Sequence, residues 1–374
     1  LNPAQDWNPA VPVTPTIDTN QENMPAAPYL PIYELTRGEI VESIHFGSLA
    51  VCDSNGRLVA WYGDAQAVAY LRSTAKPFQA LPLFEQDGKS AFDLSPAEVA
   101  LICASHSGTD AHVAAALSIQ SKAGVQETDL LCGVHPPYDE ATLEAMRERG
   151  EDSSPNRHNC SGKHTGMLAL ARLKNWPLED YIQPFHPVQQ SILGAFAEMC
   201  ALTPKDIQVG IDGCSAPNFA APLKNVAAAF ARLCDPQALS TCRAEACQII
   251  VSAMTSHPDM VAGPGRFDTR LMEIGRGRIV SKGGAEGYQG IGLLPGALGP
   301  GSPVLGIALK ISDGDPRGRA THAVSLEILR QLGALSEDEL ESLADFGPVI
   351  PVTNWRKLVV GQARPAFKLQ FEGR

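Results

Sequence analysis

The chain has 374 residues, 44% of them hydrophobic, enough to bury a sizeable core in one large domain or two ordinary ones. Lys and Arg number 30 against 41 acidic residues, and a net charge of -11 repels phosphate backbones and anionic membrane surfaces, so neither nucleic acid nor membrane is an expected partner. No apolar run approaches a membrane span, the N-terminus lacks the order of a secretion signal, and the nine scattered cysteines lack the density of a disulfide scaffold; a cytoplasmic protein with reduced thiols is expected.

In chain order, residues 1–29 are proline-rich, carry no helical or strand period, and read as an extended or disordered arm. From Ile32, "IYELTRGEIVESIHFGSLAVCDSNGRLVAWYG" alternates apolar and polar residues and holds the turn pair Asn55-Gly56, which predicts a β-meander. Helical patterns follow. One begins within "LRSTAKPFQALPL", a second opens on a capping box of Ser95 and Glu98, and others are predicted over 110–123, 140–149 and 166–174. "HPVQQSILGAFAEMCAL", "APLKNVAAAFARLC" and "RAEACQIIVSAMTSHP" complete a helical middle of about 110–260. Strands return at "GRIVSKGG", "GIGLLPG" and "SPVLGIALKIS", and helices near 321–332 and 336–344 precede the tail. Strands at both ends around a helical middle predict an α/β (α+β) fold. One antiparallel sheet is drawn from both termini, helices cover its faces, and residues 30–374 form a single domain with the helical region inserted.

Ser73 and Lys76 stand three residues apart where a helix begins, so they share a face, and the cation opposes the helix dipole. A lysine pushed toward its neutral amine can take a hydroxyl proton; the plainer reading lays its stem over the core with its head in water. Four further stretches combine Gly with reactive side chains in predicted loops: "ASHSGTD", "HNCSGKHTG", "GIDGCSAPNF" and "SKGGAEG". Ser105 in the first either faces a cleft or belongs to an ordinary helix end. Cys160, Lys163 and His164 in the second, with Cys214 in the third, offer thiolates and nitrogen donors for a cation such as zinc. Two structural cysteines are the alternative, since no C-x-x-C pair is present. Lys282 and Glu286 in the fourth are either site groups, the carboxylate able to receive an amine, or exposed charges. Arg266, Asp268 and Arg270 in "AGPGRFDTRLM" either recognise a carboxylate or pair with one another, and no phosphate loop accompanies them, so a nucleotide cofactor is not indicated.

In this order, "RSTAKPFQ", "ASHSGTDAH", "NCSGKHTGML", "GIDGCSAPNF", "GRFDTRLM", "KGGAEG" and "LGIALKISDGD" resemble the asparaginase II family, the rhizobial type of L-asparaginase, over roughly residues 30–370. The resemblance implies a serine β-lactamase/glutaminase-like fold, a homodimer, and hydrolysis of L-asparagine to L-aspartate and ammonia. It also implies two serine-lysine pairs in one site, Ser73 with Lys76 and Ser105 with Lys282, and a zinc site at Cys160, Lys163 and Cys214. Gly283 stands where the family pattern has alanine. On this basis Ser73 is the expected nucleophile and Lys76 its base. Asparagine is a zwitterion: Asp212, or else Glu286, is expected to receive its ammonium, and Arg72 and His164 its carboxylate. Zinc is expected to anchor loops near the substrate. Other readings stay open. They are a glutaminase, since one methylene is worth only about 1–3 kcal/mol in discrimination, another serine-lysine hydrolase such as a β-lactamase or peptidase, and a non-catalytic zinc-binding protein of the same fold.

Overall fold

The computed structural model describes residues 28–373; residues 1–27, which hold most of the proline-rich arm, lie outside the described residues. The strands are β1 (Leu30–Arg37), β2 (Ile40–Asp53), β3 (Leu58–Tyr62), β4 (Val68–Tyr70), β5 (Gln208–Ile211), β6 (Pro217–Pro222), β7 (Ile279–Gly284), β8 (Tyr288–Leu293), β9 (Leu305–Ile311), β10 (Ile350–Thr353), β11 (Val359–Pro365) and β12 (Gln370–Phe371). The helices are α1 (Lys76–Glu85), α2 (Gly88–Ala91), α3 (Pro96–Ile102), α4 (Asp110–Ala123), α5 (Glu140–Arg149), α6 (Ser161–Leu173) and α7 (Pro187–Met199). They continue with α8 (Leu223–Cys234), α9 (Thr241–Ser256), α10 (Pro258–Val261), α11 (Phe267–Gly275), α12 (Arg319–Leu332) and α13 (Glu337–Glu341). A 3₁₀ turn over Arg72–Ala75 runs into α1.

The architecture is mixed α/β. An antiparallel sheet in the order β10-β11-β1-β2-β9-β8-β7, with β3 on β2 and β12 on β3, joins strands from both ends of the described chain. The expected turn at Asn55-Gly56 closes β2 onto β3, with Gly56 at φ 84°, where a side chain is disfavoured. Alternation along the sheet sorts two cores. Leu49, Val51, Ile307 and Leu309 face α11 and α12, whereas Ala50, Cys52 and Ala308 face the larger helical layer that includes α1, α8 and α9. The residues on that second face are small because α8 lies directly on the sheet: a Cβ on Gly306 would come 1.9 Å from Ala227 O, and one on Gly290 2.2 Å from the Phe230 ring.

One expectation is corrected, and the tail gains strands that none foresaw. "HNCSGKHTG" is not a loop, because α6 already starts at Ser161, ahead of the expected 166. Its glycines read as breakers, yet they are there for contact: a Cβ on Gly162 would lie 2.2 Å from Leu101 O, and one on Gly166 2.6 Å from Ile102 Cγ2. The strand expected at "GRIVSKGG" forms as β7 and runs through Gly284, its backbone paired with β8. The tail carries β10, β11 and β12, which gain their partners far away in sequence; β11 pairs with β1. A small separate sheet, β4-β6-β5, had no clear pattern of its own in the sequence, and it frames the turn that holds Asp212 and Cys214. The capping box of Ser95 and Glu98 forms as expected.

Candidate active site

Ser73 lies in the 3₁₀ turn, and the Lys76 N–H donates to Ser73 O, so the pair is separated by the single turn the spacing demands. Arg72 just before it has φ 53°, a left-handed conformation that a bulky residue holds only when its surroundings impose it. Here they do: the Arg72 N–H donates to Asn218 Oδ1 at 3.0 Å, and its guanidinium pairs with Asp212. The chain after α3 brings Ser105 opposite, where its hydroxyl donates to Ser73 Oγ at 3.2 Å.

Lys76 is 1% exposed, which removes the reading of a solvated head group. Its Nζ donates to Ala104 O at 2.6 Å and Asn159 O at 3.3 Å. Lys282, also 1% exposed, projects from β7 and lines the same cleft as both serines. Burial pushes its amine down to about 7; the Asp268 carboxylate opposes the shift, and the charges of Lys76 and Arg266 add to it.

Asp268 is the anchor of that strand. It accepts from Ser281 Oγ at 2.7 Å, the Gly283 N–H at 2.8 Å and Gln289 Nε2 at 2.9 Å. Burial alone would raise its pKa, but Lys282 and these donors outweigh it and hold the carboxyl below its usual range. A Cβ on Gly283 would come 3.1 Å from Gln289 Oε1 and 3.3 Å from Asp268 Oδ2, so an alanine there would press on this network. Arg266 lines the cleft and Arg270 pairs with Glu273, so the cations of "GRFDTRLM" do not pair with Asp268 between them.

The cleft has a volume of about 460 Å³, and its walls include Ser73, Ser105, Tyr138, Asn159, Lys282 and Glu286. Glu286 stands 4.0 Å from Arg72 Nη1. Ser73 also borders a much smaller cavity of about 10 Å³, shared with Arg72, Lys76, Lys163 and Asp212. The serines therefore sit between an open cleft and a buried polar cluster.

In that cluster, ligand atoms of Cys160, Asp212 and Cys214 all lie within 4.8 Å of one another, and Lys163 Nζ is 2.9 Å from Cys214 Sγ. A hydrogen bond from Cys214 holds the Cys160 thiol well below its usual value against burial, and the Lys76 and Lys163 charges assist. Burial would lower Lys163, but Cys214 and Cys160 reverse this and raise it. Two thiols and a carboxylate fit a zinc ion in chemistry and spacing. Lys163 would have to shed a proton to join them as a ligand; here its Nζ donates to Cys214 Sγ. His164 is fully buried outside the cleft, its Nδ1 2.6 Å from the Tyr181 hydroxyl. Its Nε2 lies beside Cys214, and burial with the Lys163 charge lowers the imidazole's pKa to about 4, against the opposing pull of Cys214.

The structure thus gathers Ser73, Lys76, Ser105 and Lys282 around one point and Cys160, Lys163, Asp212 and Cys214 around another. Sequence reasoning missed the part of Asn159, Gln289 and Asn218 in holding them. Asn159 does lie in a quoted motif beside Cys160, but nothing local marks it.

The model of the family described as L-asparaginase II matches residues 33–365. Similar solved structures include a probable glutaminase from Bacillus subtilis complexed with 6-diazo-5-oxo-L-norleucine, at 12% identity and TM-score 0.37, covering 76% of this chain and 84% of that one. Another is a Bacillus glutaminase at 11% identity and TM-score 0.37, with 76% and 90% covered, and a third is Mglu in its native form, at 15% and 0.34, with 78% and 66% covered. No curated protein matches the chain. With the match running from β1 through the end of β11 and enclosing every serine, lysine and cysteine of the two clusters, the chain belongs to the L-asparaginase II family.

Proposed function

We propose that the protein hydrolyses the side-chain amide of L-asparagine to L-aspartate and ammonia through a serine ester. Membership of the family supports amide hydrolysis. The observation that carries the mechanism is the Ser73–Ser105 hydroxyl pair in a cleft walled by Lys282, a lysine whose amine is available near neutral pH.

Ser73 Oγ attacks the amide carbon while Lys282 takes the hydroxyl proton, with the Ser105 hydroxyl donating to Ser73 Oγ and orienting it. The C–N bond then breaks, ammonia leaves with the proton from Lys282, and Ser73 holds the aspartyl group as an ester. Water attacks the ester, Lys282 takes its proton, and Ser73 regains a hydrogen as aspartate departs. This moves the base from Lys76, the partner expected from spacing, to Lys282. Lys76 Nζ donates to two carbonyls, of Ala104 and Asn159, whereas Lys282 Nζ donates to one, of Gly283 at 2.6 Å. Glu286, on the cleft wall, is the better placed of the two candidate partners for the substrate ammonium, because the Asp212 carboxylate is engaged by Arg72.

Cys160, Cys214 and Asp212 would hold zinc, with Lys163 and His164 beside them. Bound there, the ion would have its charge offset by its ligands and would tie the start of α6 to the turn at 212–215. A reducing, cytoplasmic setting belongs to the proposal, since all nine cysteines are free; so does a homodimer, which sedimentation would test. No helix of the described residues is long and apolar enough to cross a membrane.

The test is ammonia release from L-asparagine and L-glutamine by the wild type and Ser73→Ala, with zinc measured on the same samples. We expect asparagine to be preferred and Ser73→Ala to lose at least about 10³-fold in kcat. A Ser73→Ala enzyme within about tenfold of wild type would remove this serine from the mechanism.

A further inference from the structure

Asn159 touches one member of each serine-lysine pair, Lys76 and Ser105, without itself carrying reactive chemistry. Its carbonyl accepts from Lys76 Nζ at 3.3 Å and from the His106 N–H at 3.2 Å. Its amide nitrogen donates to Ser105 Oγ at 3.2 Å, and Ser105 in turn donates to Ser73 Oγ at 3.2 Å. Its own N–H donates to His135 Nε2 at 3.0 Å, which is free to accept because the other ring nitrogen faces Pro136 O at 2.6 Å.

Asparagine just ahead of a helix ordinarily uses its side chain as a cap. The cap position of α6 is instead Cys160, which makes no side-chain cap bond, and the Asn159 amide is turned into the cleft. A hydroxyl oxygen that accepts from an amide N–H directs its single proton elsewhere. The Asn159 donor therefore fixes the Ser105 rotor toward Ser73, and Ser73 keeps its own proton for the base.

We infer that Asn159 is the positioning residue of this site: it sets the direction of the Ser105–Ser73 hydroxyl chain and joins Lys76 to it through one residue. The inference rests on the serine-lysine reading above. Its effect is on orientation, so it belongs to kcat and to serine reactivity rather than to substrate affinity.

Two variants test it. Asn159→Ala removes the donor, and the nearly isosteric Asn159→Asp keeps the shape and main-chain bonds while replacing the donor by an acceptor. Each should lower kcat by about 10²-fold with KM within about threefold, at unchanged zinc content and circular dichroism. Combining either with Ser105→Ala should cost nothing beyond Ser105→Ala alone, because the amide acts through that hydroxyl, whereas a merely structural residue would add its loss. Labelling of the active serine by a fluorophosphonate, read by mass spectrometry, reports hydroxyl reactivity without any amide substrate and should slow in parallel. A wild type that labels but releases no ammonia from asparagine or glutamine defeats the substrate reading while labelling still decides Asn159. Wild-type labelling rates in both single variants, or additive losses in the double variants, overturn the inference; if Asn159→Ala does not fold, Asn159→Asp decides it.

Discussion

Lys282 owes its low pKa to where β7 places it: water is excluded, Asp268 pulls upward, and Lys76 and Arg266 push further down, for a net value of about 7. For a lysine acting as base the active form is the neutral amine, which grows as pH rises. We expect kcat/KM to climb through about pH 7 and level off above it, and a profile flat from pH 5 to 9 would exclude Lys282 as the base. Asp268→Asn removes the one nearby carboxylate that raises this amine while keeping the shape of the side chain, so the inflection should move to lower pH; a shift upward would contradict the field described here. The candidate residues themselves were readable in short motifs, though each alone had a plainer reading and the order of the motifs singled them out. Asn159 and Asp268 in their working roles were not. What they do depends on Ser105 and Lys282, which reach them only in the folded chain.

Elements were legible where their signal is local. The alternation of β1 to β3, the Ala-rich helical periods and the Ser95 capping box all appear where the pattern places them. The glycines of α6 misled because a glycine that breaks a helix and one that admits a neighbour look alike in sequence; Leu101 and Ile102 make the difference. The same contact logic governs α8 on the sheet, where Gly292 and Gly306 pair across β8 and β9. Gly306→Ala would drive a methyl against the Ala227 carbonyl and the Ala231 nitrogen, at 1.9 and 2.4 Å. We expect a loss of about 1–3 kcal/mol in denaturant unfolding, or failure to fold; unchanged stability would mean that α8 can lift without cost.

Across the whole molecule, β11 lies between β10 and β1, so the last part of the described chain completes the sheet begun by the first. Phe367 and Leu369 are buried in the core beneath α12. Deleting residues 347–374 would uncover the edge of β1 and open that core. We expect insoluble protein or loss of a cooperative thermal transition, and a sharp transition at the wild-type temperature would show the tail to be dispensable. The tail strands escaped the sequence reading because their stabilisation comes from β1 and β3, hundreds of residues away, rather than from a strong pattern of their own.

Residue chemistry marked the serines, lysines and cysteines as candidates beside plainer readings, seven ordered motifs resembling one family raised them to a site, and short-range periodicity foresaw a sheet with an inserted helical middle, since these signals are written within a few neighbouring positions. The burial of Lys282 that lowers its amine, the pairing of Asp212 with Arg72, and the tie from Asn159 to Ser105 came with folding alone. Desolvation, Coulomb fields and hydrogen-bond direction are set by atoms distant in sequence, and no spacing along one strand or helix encodes them.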